Sequence, residues 1–239
     1  MRTRIALVYP ELLGTYGDAG NAEVLAARLV WRGLDVEVVS VAAGTAVPGD
    51  CQLYVLGGGE DEPQTLAGAG LASSPAFRDA VHAGAVVLAV CAGFQLVGSS
   101  FPGIGGALTP GLGLIDVETV RVPGAARAVG DLVVSGSLGV LTGYENHAGR
   151  TRALPGAVGR PLGSVVRGVG NGFDDAAEGW VAPVGEGLVV GTYLHGPVLP
   201  QNPALADHLL TRALGHELAA LDPEPSRELV AARRRQLGV

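Results

Sequence analysis

The run Ala85–Val90 (AVVLAV) carries no polar side chain and passes directly into Cys91, Ala92 and Gly93. Six apolar residues in succession leave no face for water, so the run reads as a strand covered on both sides. Three earlier short apolar runs, Arg4–Tyr9, Val36–Val41 and Leu53–Leu56, are spaced so that helical patterning fits between them. Ala19–Arg32 places Ala22, Leu25, Ala26, Leu29 and Val30 on one face, with Asp18 positioned as N-cap and Gly33 as terminator. A second helix is expected over Pro75–Ala83, capped by Ser74, opened by Pro75 and closed by Gly84. Alternation of buried strands with helices implies an α/β domain, with a mostly parallel central sheet and helices on both faces.

Beyond Gly98 the pattern changes. Leu114–Val122, Leu132–Leu141 and Leu188–Tyr193 are apolar runs between glycine-rich turns, and they read as a mixed or antiparallel extension of the sheet. Helical spacing returns at Ala204–Leu214 and at Ser226–Gln236. The latter ends in Arg233, Arg234 and Arg235, expected to be a solvated helix end favoured by the helix dipole. Residues 1–216 are therefore expected to form one domain and 217–239 a helical extension, without linker or internal repeat.

Composition narrows the class further. The net charge of −7 is dispersed, and no basic stripe of the kind a phosphate backbone requires is present, so a nucleic-acid partner is not expected. Glycine, proline or charge interrupts every apolar run short of the roughly 18 residues needed to cross a bilayer, so no membrane insertion is expected and the chain reads as cytoplasmic. Two cysteines in 239 residues point to a reducing compartment and free thiols. No His, Cys and carboxylate spacing matches a metal site.

Three strand ends carry chemistry. At Cys91 the small residues Ala89, Ala92 and Gly93 permit a tight strand-to-helix turn with an exposed side chain at its apex, a nucleophile elbow bearing sulfur. A thiol at a helix N-terminus meets the positive end of the dipole, which favours thiolate. The same position suits a small buried hydrophobe. The run LYVLGGGEDE ends in Gly57, Gly58 and Gly59, whose amides are placed to turn toward a bound group at the carboxyl edge of the sheet, as an oxyanion hole would. Glycines also mark ordinary turns. A phosphate loop is disfavoured, because no Lys-Ser/Thr pair follows and Glu60, Asp61 and Glu62 repel phosphate. The run LVVGTYLHGP carries His195 just past a strand, either as a partner for the thiol or as a plain strand cap.

Together these features resemble a family. Cys91, Gly93 and Gln95 in a CxGxQ context, a glycine-rich strand end upstream and a late histidine are similar to the class I, Cys-dependent glutamine amidotransferases, whose domain is flavodoxin-like. GYENHAGRT (143–151) and GTYLHGP (191–197) resemble the cobyric-acid-synthase-like branch. With GTYGDAGN and LGGGEDE they look most like the GatD-type glutaminase subunits of lipid II isoglutaminyl synthase. The resemblance spans the chain to about residue 216. It implies hydrolysis of L-glutamine with Cys91 as nucleophile and His195 as base, and glutamine bound by Arg127, Gly58, Gly59, Ala92 and Gln95. It implies no cofactor in this chain. Ammonia would pass to a MurT-like Mur-ligase subunit, which would hold ATP and Mg and amidate the D-glutamate of lipid II.

The chain departs from the broader class at two positions. Many members carry a glutamate two residues after the catalytic histidine; here that residue is Pro197. Either a Cys/His dyad suffices or a carboxylate arrives from elsewhere, the partner being the natural source. Ala89 stands where glycine is common, and alanine is small enough for the elbow. Glu145, Asn146 and His147 read as support for the site rather than catalysts. His82 and His208 read as surface or core-edge histidines, Cys51 as structural, and Asp174 and Asp175 in NGFDDAAEG as an exposed turn. Two other functions fit the motifs: amidation of a cobyrinic-acid-like substrate, for which the same-chain synthase domain is missing, and a DJ-1-like or glutamine-binding regulatory module, against which retention of both Cys91 and His195 argues.

Overall fold

A computed structural model describes residues 2–173 and 175–239; Asp174 of the expected NGFDDAAEG turn lies outside the described residues. The first half runs β1 (Thr3–Val8), α1 (Ala19–Val30), β2 (Val36–Val41), β3 (Leu53–Leu56), α2 (Asp61–Ala72), α3 (Pro75–His82), β4 (Val86–Val90) and α4 (Ala92–Val97); it alternates as expected except that an irregular segment, not a helix, joins β2 to β3. The second half is mostly strand: β5 (Ser100–Pro102), β6 (Leu108–Pro110), β7 (Val117–Arg121), β8 (Ala128–Gly136), β9 (Gly139–His147), β10 (Gly149–Ala153), β11 (Gly163–Arg167), β12 (Ala177–Glu178), β13 (Trp180–Val184) and β14 (Gly187–Thr192). Three helices close it, α5 (Val198–Gln201), α6 (Pro203–Leu214) and α7 (Arg227–Leu237).

The central sheet runs β13-β14-β4-β3-β1-β2, and only β13 is antiparallel to its neighbour. Every residue of β3 and β4 is buried, as strands covered on both faces must be. One helical group is α1, α5 and α6, in mutual contact; the other is α2, α3 and α4. Leu56 pairs with Ala89 and Ala89 with Gly191, so β3, β4 and β14 finish level at one edge. Two separate four-stranded sheets, β10-β7-β5-β6 and the antiparallel β12-β11-β8-β9, form the extension; the run Leu188–Tyr193, expected to belong to it, instead enters the central sheet as β14, parallel to β4.

Four further local expectations are corrected. Leu132–Leu141 is not one run: a two-residue turn at Ser137–Leu138 folds it into the β8–β9 hairpin. Helix α2 was not anticipated, because DEPQTLAGAGLA spends helix positions on glycine. Those glycines admit neighbours: a Cβ on Gly68 would lie 2.9 Å from Leu96 Cδ2, and one on Gly70 2.9 Å from the Tyr9 hydroxyl. Asp18 makes no side-chain cap bond to α1; its carboxylate is used elsewhere. The arginine run is not simply solvated. Arg233 donates to Gln201 Oε1 (3.0 Å) and Asp131 Oδ1 (2.7 Å), and Arg234 to the Val140 carbonyl (3.2 Å), so α7 is fastened to the β8–β9 hairpin. Among the described residues no helix is long and apolar enough to cross a membrane.

The extension beyond residue 216 is tied down from the other side by Arg28 of α1. Its guanidinium, 1 % exposed, forks onto Asp207 (2.7 and 2.6 Å) and onto Glu224 (2.8 and 3.0 Å), while Arg32 adds a 2.8 Å bond to Asp207. Burial opposes the charge, and the two carboxylates more than restore it. Removing one partner of a buried pair costs about 3–5 kcal/mol, and here both carboxylates are partly wet, which places the loss at the low end. Arg28→Ala is expected to lower unfolding stability by roughly 3 kcal/mol; a denaturant midpoint unchanged from wild type would show that the fork contributes nothing.

Candidate active site

One residue separates β4 from α4. Cys91, at φ 51° and ψ −102°, holds a backbone conformation that L side chains rarely adopt, at a cost of about 1–3 kcal/mol. Its N–H donates to the Thr192 carbonyl (2.8 Å) and the Gly93 N–H to the Gly57 carbonyl (3.1 Å), which ties the elbow to the ends of β14 and β3. Gly93 has no alternative residue: a Cβ there would sit 2.7 Å from the Leu56 carbonyl oxygen.

His195 lies three residues past β14. Its backbone is gripped by β9, the His195 N–H donating to the Tyr144 carbonyl (2.7 Å) and the Tyr144 N–H to the His195 carbonyl (3.2 Å). The side chain is fully buried, with the Tyr16 ring 4.6 Å away, centroid to centroid. Neither ring nitrogen has a hydrogen bond among the described residues. Burial pulls its basicity down, but Asp18, whose Oδ2 lies 3.8 Å from Nδ1, and Cys91 outweigh it and the imidazole is pushed up to about 10. The sheet edge thus places beside the Cys91 thiol an imidazole whose surroundings favour its protonated form.

The glycines after β3 divide their work. The Gly58 N–H donates to Asp18 Oδ2 at 2.7 Å, so this amide is not free for a substrate, contrary to the expectation. Gly58 instead supplies space, since a Cβ would meet His195 Cε1 at 2.7 Å. The amides of Gly59 and Ala92 make no hydrogen bond among the described residues, and both residues line a cleft of about 450 Å³, including its open mouth, together with Cys91. Two free amides flanking a thiol are the arrangement that holds a developing oxyanion.

Gln95 lines the same cleft but is nearly buried, accepting from Gln64 Nε2 (3.0 Å) and donating to the Tyr193 hydroxyl (3.3 Å). Arg127 stands exposed at the rim, donating to the side chain of Asn146 and, at 3.3 Å, to its carbonyl; Asn146 donates in turn to the Tyr16 hydroxyl (2.9 Å). His147 lines the cleft, and both it and Glu145 are buried and engaged with protein groups. Glu145 accepts the Val169 and Gly170 amides (2.8 and 2.9 Å), and His147 stacks on Tyr193 at 3.8 Å. Cys51 is buried just before the start of β3, at the end opposite Gly57, its thiol pushed up to about 11 by desolvation. Among the described residues no group of three or more His, Cys, Asp or Glu is arranged to hold a metal ion.

A family model for the CobB/CobQ-like glutamine amidotransferase domain matches residues 4–203. The chain belongs to that family. The amidotransferase is 34% identical over 215 residues to the glutamine-hydrolysing subunit GatD of the lipid II isoglutaminyl synthase of Staphylococcus aureus, covering 89% of this chain and 84% of that one. The subunit of the same name from Streptococcus pneumoniae is also 34% identical over 215 residues, at 88% and 80% coverage. A cobyric acid synthase of Brucella anthropi is 36% identical over 178 residues, but that match spans only 32% of the synthase. Among solved structures, a glutamine amidotransferase superposes with a TM-score of 0.60 at 19% identity, over 87% of this chain and 98% of that one, which speaks for the fold.

Two residues of the amidotransferase site were not legible in the sequence as such. Asp18 sat in a helix-capping position, and Glu178 in a stretch read as an exposed turn; in fact it is fully buried. Glu178 Oε1 accepts the Tyr193 N–H (2.6 Å) and the Thr192 hydroxyl (2.9 Å), while Oε2 has no partner, and desolvation outweighs those bonds to raise the carboxyl from 4.5 to about 7. Below pH 4.5 both folded and unfolded chains hold this proton; between 4.5 and 7 only the unfolded chain releases it, so stability falls as pH rises through that window. The change amounts to about 3 kcal/mol. In Glu178→Gln this part of the decline should vanish, and denaturation midpoints measured from pH 4 to 8 that keep the wild-type slope would contradict it.

Proposed function

We propose that this chain is the glutaminase subunit of a two-component lipid II isoglutaminyl synthase. The observation that carries the chemistry is the elbow: a strained Cys91 beside the buried His195, with the Gly59 and Ala92 amides unengaged at the same edge. The thiolate attacks the carboxamide carbon of glutamine, and the two amides hold the oxyanion that forms. His195 gives its proton to the departing nitrogen, releasing ammonia and leaving a thioester on Cys91. Water, deprotonated by the now neutral imidazole, cleaves that thioester to glutamate and restores the thiol. Arg127 binds the α-carboxylate of glutamine by its planar fork, exchanging its present bonds to Asn146 for it. Gln95, held between Gln64 and Tyr193, forms the cleft wall beside the amide being broken.

The identity to GatD subunits across most of both chains supports the rest of the reading. Ammonia passes to a MurT-like Mur-ligase subunit, which uses ATP and Mg to activate the D-glutamate carboxylate of lipid II and yields D-isoglutamine. This chain needs no cofactor of its own for glutamine hydrolysis, and its place of action is the cytoplasm.

Co-expression with the Mur-ligase-like partner provides the test. With Cys91→Ala in the complex, glutamine-dependent amidation of lipid II is expected to disappear while amidation from added ammonium persists; glutamine-dependent product at the wild-type rate would remove the nucleophile assignment. Arg127→Ala is expected to raise KM for glutamine by about 10–100-fold, the worth of a charge-assisted pair, with kcat little changed. An unaltered KM would place the α-carboxylate elsewhere.

A further inference from the structure

The motif GTYGDAGN, which runs into the first turn of α1, has no part in the chemistry derived above, yet it reaches the catalytic edge at three points. Tyr16 lays its ring against His195. Asn21, fully buried, accepts the Leu199 N–H at 3.0 Å, pinning α1 to the segment that follows the histidine. Asp18, also fully buried, presents Oδ2 to His195 Nδ1 at 3.8 Å. That oxygen is fixed from behind by the Gly58 N–H (2.7 Å), and Oδ1 receives Asn21 Nδ2 at 3.4 Å. Pro197 leaves the usual position of an orienting glutamate without a carboxylate.

We propose that Asp18 is the acid that orients the His195 imidazole, completing a Cys91–His195–Asp18 triad within this one chain. It acts on His195, not on substrate, and is a positioning residue. The inference rests on the glutaminase reading above and deepens it. With its proton on Nδ1 aimed at Asp18, the imidazole presents Nε2 to the thiol, and the carboxylate stabilises the imidazolium formed when the thiolate is generated. A small rotation of the ring shortens the 3.8 Å contact to a hydrogen bond, as catalytic hydrogen bonds commonly tighten once substrate is bound. The other titratable groups facing the ring do not compete: Cys91 is the nucleophile, the Tyr16 hydroxyl is held by Asn146, and Glu178 spends Oε1 on Thr192 and Tyr193.

Asp18→Asn keeps the size of the side chain and an acceptor for the Gly58 amide. In the complex with the partner it is expected to lower glutaminase kcat at least a hundredfold with KM within about threefold, an effect of the size seen when a triad acid is neutralised. The pH dependence of Cys91 alkylation by iodoacetamide should shift with it, since thiolate formation loses its support, and an ordinary structural lesion would not move that profile. Wild-type kcat and an unmoved alkylation profile in Asp18→Asn would overturn the proposal. If that variant does not fold, nitrogen NMR of the His195 ring in the wild-type chain decides: a proton retained on Nδ1 from pH 6 to 9 supports it, and loss of that proton near the ordinary histidine value of 6.5 refutes it. Cys91→Ala separates the two readings. If it retains glutaminase activity the site itself is wrong; if it is inactive and Asp18→Asn is not impaired, only the triad falls.

Discussion

Everything in the candidate site depends on the parallel pairing of β3, β4 and β14 in one register. Leu56, Ala89 and Gly191 stand side by side, so a glycine turn, a cysteine and a histidine separated by more than a hundred residues in the chain emerge at one edge. Parallel strands finish at the same end, and their carboxyl ends leave a crevice where loops diverge. The pairing is itself secured by burial: the apolar side chains of β3 and β4 have no access to water on either face.

That rigid edge stores the strain at Cys91. The unfavourable backbone of the elbow persists because both flanking strands hold it, through Thr192 on one side and Gly57 on the other, and because Gly93 lets α4 start against the Leu56 carbonyl. Buried polar groups then set the chemistry. Glu178 pins the end of β14 through Thr192 and Tyr193, Tyr144 pairs with His195, and Glu145 secures the segment at Val169–Gly170. The second-half strands that look like a mere extension of the sheet are thus what immobilises the histidine.

The same logic joins the termini to the site. Arg28 anchors the 217–226 segment to α1, and α7 reaches across to β8–β9, the hairpin whose second strand carries Tyr144, Glu145 and Asn146. The helical extension is thereby part of the frame that holds the cleft, with Arg233 and Arg234 as its fastenings.

Much of this was legible in the residues alone. Uninterrupted apolar runs dictate buried strands, helical spacing between them dictates the crossovers, and small residues around Cys91 allow a tight turn; the fold class follows from such local rules, whereas the pairing of Cys91 with His195 rests on the resemblance of the ordered motifs to a family. What the sequence could not show is which polar groups end up buried and facing one another. Asp18 looks like a helix cap and Glu178 like a turn residue until β1, β3, β4 and β14 are laid side by side, and Gly58 looks like an amide donor until Asp18 occupies its N–H. Local pattern determines which segments are strands and helices. Only tertiary packing decides which carboxylate meets which imidazole, because those contacts join residues far apart in the chain and their energy comes from the exclusion of water that packing creates.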